Sequence, residues 1–185
     1  MVDPPVHPHP PPCDTGAMTT PDEQAARLDD AIADLLALRP RVMGAAPWQL
    51  AEYYGTEDEA NWAPPEVLAH VEEMLPFWLG EIERILEGPA SSPVPFGRVA
   101  TDAVRIGIIG RDRTLPLREL FARVAADGAR LSARIRELDG ADLAREGLHP
   151  RLGVLTVAEC LERFVTSHVE DHVRQLEEIL AARGA

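Results

Sequence analysis

The sequence has few cysteines, no lysine and no long apolar run. Only two of its 185 residues are cysteines, Cys13 and Cys160, so a disulfide framework is excluded and a reducing cytoplasm is the expected compartment. No apolar segment approaches the ~20 residues that a membrane-spanning helix needs, and residues 1–16 lack the features of a secretory signal. All 18 basic residues are arginines, which we interpret as a coding bias.

Positive charge is also scarce. The 31 acidic residues outnumber the arginines and give a formal net charge of −13. This excess argues against nucleic acid and anionic membrane surfaces as partners, because both attract basic proteins. We therefore expect a small-molecule substrate, no nucleic acid and no membrane. No feature fixes the oligomeric state, and a homodimer is kept as the candidate assembly.

The chain divides into a tail and one domain. Six of the 17 prolines precede Cys13, in a stretch that cannot bury apolar area. We predict a Pro-rich disordered tail over residues 1–18 and one globular domain over residues 19–185. The hydrophobic fraction of 45% is sufficient for a packed core in that domain.

Four segments carry helical periodicity or helix-start signals, and strand signals are almost absent. Thr20 and Thr156 each precede a Glu at the third helical position, which is the pattern of a capping box. The predicted helices run from Thr20 to about Arg39, from Pro64 to about Gly88, over residues 116–138, and from Thr156 to about Ala182. These four helices predict an all-α four-helix bundle.

The connections between the predicted helices carry weaker sequence signals. We expect a short helix over Pro47–Tyr54 and a kink at Pro76, which lies inside the second helix. The connection over residues 88–114 is unusually long, and periodicity does not decide whether Val104–Ile109 is a strand or a helical turn. Arginines over residues 105–113 are candidates for binding a carboxylate.

Polar side chains occupy the predicted buried face of the fourth helix. With Val157 set at 0° and steps of about 100° per residue, His168 falls at about 20° and His172 at about 60°, in the middle of the stripe. Gln175 falls on the same stripe and Asp171 at its flank. Burying such groups costs desolvation, and histidines at i and i+4 can reach one ion. The pattern therefore indicates a metal site.

A third ligand must come from elsewhere in the chain. The candidates are His70 on the second helix and His149 in a loop, and we favour His70 because a helix holds a ligand more rigidly. Histidines that only hydrogen-bond their neighbours are the alternative. The zincin motif is excluded because Val169, not glutamate, follows His168.

Three stretches resemble the DinB-like superfamily of small bacterial metalloproteins: WAPPEVLAHV over residues 62–71, HPRLGVLT over residues 149–156 and HVEDHVRQL over residues 168–176. The resemblance covers about residues 20–182. It implies up-down-down-up topology, in which the second and third helices run parallel and need a long crossover. It also places the three metal-binding histidines of the superfamily at His70, His168 and His172.

The resemblance implies an enzyme that activates a thiol. Well-understood members are thiol S-transferases that use bacillithiol or mycothiol, so we expect one divalent transition metal, with zinc ahead of nickel or iron, and a low-molecular-weight thiol. Asp171 and Gln175 are expected to orient a ligand imidazole or to contact substrate. The related maleylpyruvate isomerases have a carboxylate among their ligands where this chain has histidine, so that activity is discounted.

Other functions stay open at this stage. The sequence shows no convincing catalytic base. A non-catalytic metal- or ligand-binding stress protein, a metal-dependent hydrolase and a bundle with an empty histidine cluster are the alternatives to the transferase. An open metal position facing a pocket would favour an enzyme.

Overall fold

A computed structural model of the protein describes residues 20–51 and 61–185. The predicted tail over residues 1–18 lies outside the described residues. In chain order the helices are α1 (Pro21–Ala37), α2 (Arg39–Gly44), α3 (Pro64–Glu87), α4 (Ala103–Asp112), α5 (Leu117–Arg136), α6 (Gly140–Leu143), α7 (Val157–Leu161) and α8 (Ser167–Arg183). Within these described ranges, no helix combines the length and apolar character needed to cross a bilayer.

The four long helical segments form a bundle, as predicted. Helices α1 and α3 each pack against both α5 and the α7–α8 segment. The buried side chains of α3 include the whole predicted stripe: Val67, Val71, Met74, Trp78, Ile82 and Ile85. Helix α5 comes close to α1 at Gly128, where an added Cβ would lie 2.9 Å from Cγ1 of Ile32. The all-α bundle prediction is confirmed.

The capping signals mark the helix starts correctly. Thr20 accepts a hydrogen bond from the Glu23 backbone at 3.2 Å, and the Glu23 carboxylate accepts from the Thr20 backbone at 2.7 Å. The same reciprocal pair opens α7 at Thr156 and Glu159. Each pair satisfies backbone donors that the first turn of a helix leaves open.

The first connection contains a short helix, but not where one was predicted. The first helix ends at Ala37, but the chain turns into α2, in whose first turn Pro40 is tolerated because no helical N–H is lost there. Residues 47–51 of the predicted helix over Pro47–Tyr54 are not helical, and Tyr54 lies outside the described residues.

Helix α3 continues through Pro76 without interruption.

The long connection between α3 and α5 is the crossover that the predicted topology requires. It contains strand β1 (Val94–Pro95) and helix α4, so Val104–Ile109 is helical. Asp102 caps α4 by accepting from the backbone N–H groups of Val104 and Arg105, both at 3.0 Å.

A small three-stranded sheet, which the sequence did not predict, accompanies the helices. Strands β2 (Glu146–His149) and β3 (Gly153–Thr156) form an antiparallel hairpin, and β1 pairs in parallel with β2. Tertiary packing stabilises these short strands: an added Cβ at Gly147 would lie 2.4 Å from the Phe96 ring. Such contacts are long-range and leave no periodic signal in the sequence.

The last helical segment contains a π-turn over Glu162–Thr166, between α7 and α8. A π-turn inserts one residue into an α-helix and rotates all that follows by about 100°. The buried residues of α8 are Val169, His172, Leu176 and Leu180, whose mean position on a uniform α-helical wheel is about 110° from that of Val157, Cys160 and Leu161. The wheel used for the sequence prediction was therefore out of phase over α8.

Candidate metal centre

Three histidines meet between α3 and α8. His70 lies on α3, and His168 and His172 lie one turn apart on α8. Each offers a ring nitrogen, and these three atoms all lie within 4.8 Å of one another. The Nε2 atoms of His70 and His168 are 2.9 Å apart. The structure thus brings together the three histidines that the sequence prediction selected.

The rotation at the π-turn gives the two histidines of α8 different surroundings. His172 is buried with the apolar stripe, whereas His168 is half-buried at its edge and lines a pocket. The expectation that both occupy the middle of the buried stripe is therefore wrong for His168. The consequence is favourable for chemistry, because His168 joins His70 in lining the pocket.

Gln175 and Asp171 also separate. The Gln175 Oε1 atom lies 2.8 Å from Nδ1 of His172 and accepts a hydrogen bond from Nδ1–H, which leaves Nε2 of His172 as the nitrogen that can bind an ion. Gln175 is half-buried rather than buried on the stripe, and Asp171 is exposed and paired with Arg174. Of these two predicted residues, Gln175 contacts a histidine of the cluster and Asp171 pairs with an exposed arginine.

The surroundings of His70 favour its neutral form. Burial, followed by the nearby His172 and Arg105, lowers the pKa of His70 well below its ordinary value of 6.5. Arg105 places a guanidinium nitrogen 3.4 Å from Nδ1 of His70. Neutral imidazoles are the form that binds metal, so protons compete weakly at His70 near neutral pH.

The donor set fits a divalent transition metal. Two nitrogens bound to one tetrahedral ion at ~2.05 Å would be about 3.3 Å apart, close to the separation of His70 and His168. Moderate side-chain rotation would bring His172 to the same point. A guanidinium only donates hydrogen bonds, so its contact favours an unprotonated Nδ1 on His70, with the ring proton on Nε2. Binding of an ion through Nε2 would move that proton to Nδ1 and would require Arg105 to withdraw slightly.

A pocket of about 400 Å³ opens above His70 and His168. Its volume is within the range of small-molecule sites. One wall is aromatic: Trp78 of α3 stacks on Phe164 of the π-turn, with ring centroids 4.4 Å apart. The residues that line the pocket are His70, Met74, Trp78, Arg98, Val99, Ala100, Arg105, His149, Arg151, Leu152, Phe164 and His168.

His149, the other candidate for the third ligand, lies in the pocket wall rather than in the histidine cluster. Its Nδ1 atom accepts from the backbone N–H groups of Arg151 and Leu152, both at 3.3 Å, and its ring stacks on Phe164. Gly97, at a φ of 79°, leaves room for the ring, because an added Cβ would lie 2.5 Å from it. Burial lowers the pKa of His149. Its contacts fix the hairpin turn beside the pocket.

Some residues of the site were not selected from the sequence. Arg98 and Arg151 line the pocket and neither was selected, although Arg151 lies within the HPRLGVLT stretch that carries the family resemblance. Within the arginine-rich run over residues 105–113, Arg105 lines the pocket, whereas Arg111 pairs with Asp112 and Arg113 pairs with buried Glu66. Helical spacing could have placed Arg105 on one face of α4 only if α4 had been recognised as a helix.

Comparison with known proteins agrees with the family resemblance and with the bundle fold. The sequence model of the DinB superfamily matches residues 38–176. Among solved structures, the chain is similar to YfiT from Bacillus subtilis, described as "a probable metal-dependent hydrolase with an unusual four-helix bundle topology", with a TM-score of 0.67 and 15% identity over 94% of this chain and 93% of that chain. No curated protein matches the chain significantly.

Proposed function

The chain belongs to the DinB superfamily, and on that premise we propose that it is a metal-dependent thiol S-transferase. His70, His168 and His172 hold one divalent ion, zinc in preference to nickel or iron, and a small thiol and an electrophile meet in the pocket above them. The observation that carries this proposal is the convergence of three ring nitrogens, within 4.8 Å, at an open pocket.

A divalent ion held by three neutral imidazoles would act as a Lewis acid and lower the pKa of a thiol or water toward neutrality. The thiolate sulfur then forms a bond to an electrophilic carbon of the second substrate. The leaving group departs with the bonding electron pair, and the thiol proton passes to solvent. His70 and His168 are the ligands nearest this reaction, because both line the pocket.

Other residues of the site orient a ligand histidine and exclude water from the pocket. Gln175 fixes the ring of His172 through Nδ1, and the Trp78–Phe164 stack makes one wall apolar. An apolar wall reduces the water that competes with a thiolate for the electrophile. Among the described residues that line the pocket, none is a carboxylate. A thiol, whose ordinary pKa is about 8.5 against about 15.7 for water, needs the smaller shift to ionise without a base, which favours thiol transfer over water activation.

Hydrolysis is the second candidate. It is favoured by the similarity in fold to YfiT, itself described as a probable metal-dependent hydrolase. The same three histidines would serve that reaction, with water in place of the thiol. The two functions differ in one measurable respect, which is the requirement for a thiol.

The test uses protein stripped with a chelator and reloaded with zinc, nickel or iron(II). Consumption of chlorodinitrobenzene and of nitrophenyl esters is followed with and without cysteine or mercaptoethanol. We expect thioether formation that needs both metal and thiol. His172→Ala should remove metal and rate together, whereas Asp171→Ala, one residue away and exposed, should keep both.

The alternatives give different results. Ester cleavage that needs metal but no thiol would support the hydrolase. Identical behaviour of stripped and reloaded protein across the panel would reject both enzymes and leave a binding protein. Equal metal content in wild type and His172→Ala would reject the site itself.

A further inference from the structure

The pocket above the histidines follows two helical segments. On α3, His70, Met74 and Trp78 are spaced four residues apart, and all three line the pocket. On the last segment, Phe164 and His168 have the same spacing and line it as well. Residues four apart on an α-helix lie on one face, one turn after another. The pocket is therefore a trough that begins at the histidines and runs along α3.

An aromatic stack ends this trough. The rings of Trp78 and Phe164 bridge the two segments, with centroids 4.4 Å apart and planes within 5° of parallel. The His149 ring stacks on Phe164 in turn, with centroids 5.2 Å apart. Among the described residues that line the pocket, none on α3 lies beyond Trp78. Helix α3 rises by about 12 Å from His70 to Trp78, and this is the length available to a ligand that lies along it.

Most of the other side chains that give the trough its character are apolar. Met74 lies between the two ends on α3, and Val99 and Ala100 contribute from the crossover. Leu152, at the turn of the β2–β3 hairpin, also lines the trough and is 46% exposed. An apolar ligand would remove this surface from water, which is the main favourable term in such sites.

The crossover wall of the trough is anchored from behind. Two buried carboxylates of α3 hold it: Glu81 accepts from the backbone N–H of Gly97, and Glu73 pairs with Arg98. The Arg98 guanidinium also lies over the Phe77 ring, 3.6 Å from its centroid. Moving the wall would leave buried carboxylates without partners, which is costly. The trough therefore keeps its dimensions when a ligand enters.

We propose that the trough selects substrates by length, and that the substrate is an electrophile with its reacting carbon at one end of an elongated apolar body. This inference rests on the proposed function in placing the reacting carbon at the histidines. The body extends past Met74 and stops at the Trp78–Phe164 stack. An extended chain with C–C bonds of ~1.5 Å rises by about 1.25 Å per carbon, so about nine carbons fill the ~12 Å between His70 and Trp78.

The test measures binding of straight-chain 1-alkanols, from butanol to dodecanol, by equilibrium dialysis against metal-stripped protein. These probes are neutral, so chain length is the only property that varies. We expect affinity to rise about three- to fourfold with each added methylene, as for burial of a CH₂ group. The rise should end at a length limit of about nine carbons, where the chain reaches the stack.

Two variants should move the length limit in opposite directions. Trp78→Ala removes half of the stack and should extend the limit by about four carbons, the equivalent of one helical turn. Met74→Phe places a larger side chain one turn from His70 and should shorten the limit by at least one carbon. Ile82→Ala is the matched control, because Ile82 is buried one turn beyond Trp78 and does not line the trough. It should leave the limit unchanged.

The proposal is overturned if the alkanols do not bind, if wild-type affinity keeps rising through dodecanol, or if Ile82→Ala moves the limit as far as Trp78→Ala does. An unchanged limit in Trp78→Ala also overturns it, and Met74→Phe decides in the same way if Trp78→Ala does not fold. The measurement involves no turnover. A length limit in a protein that turns over no substrate would reject the proposed enzyme and keep the trough, whereas thiol transfer without a length limit would do the opposite.

Discussion

The hydrogen bond between Gln175 and His172 leads to a quantitative prediction for metal affinity. The Gln175 Oε1 atom accepts from Nδ1 of His172 at 2.8 Å and thereby directs Nε2 toward the other histidines. Removing such a partner typically weakens metal binding by ~10–100-fold. Because Gln175 is only half-buried, water can replace part of the lost contact. We therefore expect Gln175→Ala to weaken zinc binding by about tenfold, or ~1.4 kcal/mol.

The assay is competition for zinc with a chromophoric chelator near neutral pH. Asp171→Ala is the matched control, because Asp171 is on the same helix, exposed and paired with Arg174. It should change zinc affinity by less than about twofold. Gln175→Glu should retain the affinity of wild type, since a carboxylate also accepts from Nδ1. Equal losses in Gln175→Ala and Asp171→Ala, or a loss in Gln175→Glu as large as in Gln175→Ala, would refute this role for Gln175.

Three further predictions concern stability and reactivity. Burial lowers the pKa of His70, so as pH falls the unfolded chain protonates this histidine before the folded chain does. The free energy of unfolding of metal-free protein should therefore fall by up to ~1.4 kcal/mol per pH unit below pH 6.5. Equal pH slopes of the unfolding free energy, measured by urea titration in wild type and His70→Gln, would contradict this. Gly128→Ala should destabilise by ~1–3 kcal/mol through contact with Ile32, and urea unfolding should show a smaller cost in an Ile32→Ala background. Burial raises the pKa of the Cys160 thiol to about 12, so in a Cys13→Ser protein a thiol reagent should label it only as fast as the chain opens, and immediate labelling would show that it is accessible.

The parts of the fold that could be predicted from the sequence are those with local causes. The Thr20 and Thr156 capping boxes act within four residues, and the apolar stripe of α3 repeats at the helical period, so both were read correctly. The β2–β3 hairpin depends on Phe96 and Ile85 packing over Gly147, contacts that join distant parts of the chain. No window of sequence contains that information.

The candidate site divides in the same way. The spacing of His168 and His172 indicated a shared ion. His70 was favoured over His149 because a helix holds a ligand rigidly, and the family resemblance pointed to the same residue. A uniform wheel could not distinguish Gln175 from Asp171, because the phase of α8 changes at the π-turn. Arg98 was missed because its position beside the pocket depends on the path of the crossover.

The π-turn has a consequence for comparing this chain with its relatives. Glu162–Thr166 contains one residue more than an α-helix of the same length would hold. For a relative that is shorter by this one residue, an alignment matches both the start of the segment and the histidine pair only when it places a single gap between residues 162 and 166. Gap penalties discourage breaks inside helices, so an automatic alignment would shift one half of the segment by a residue. Histidines that correspond in space would then be scored as mismatched, and sequence comparison would understate how widely this centre occurs.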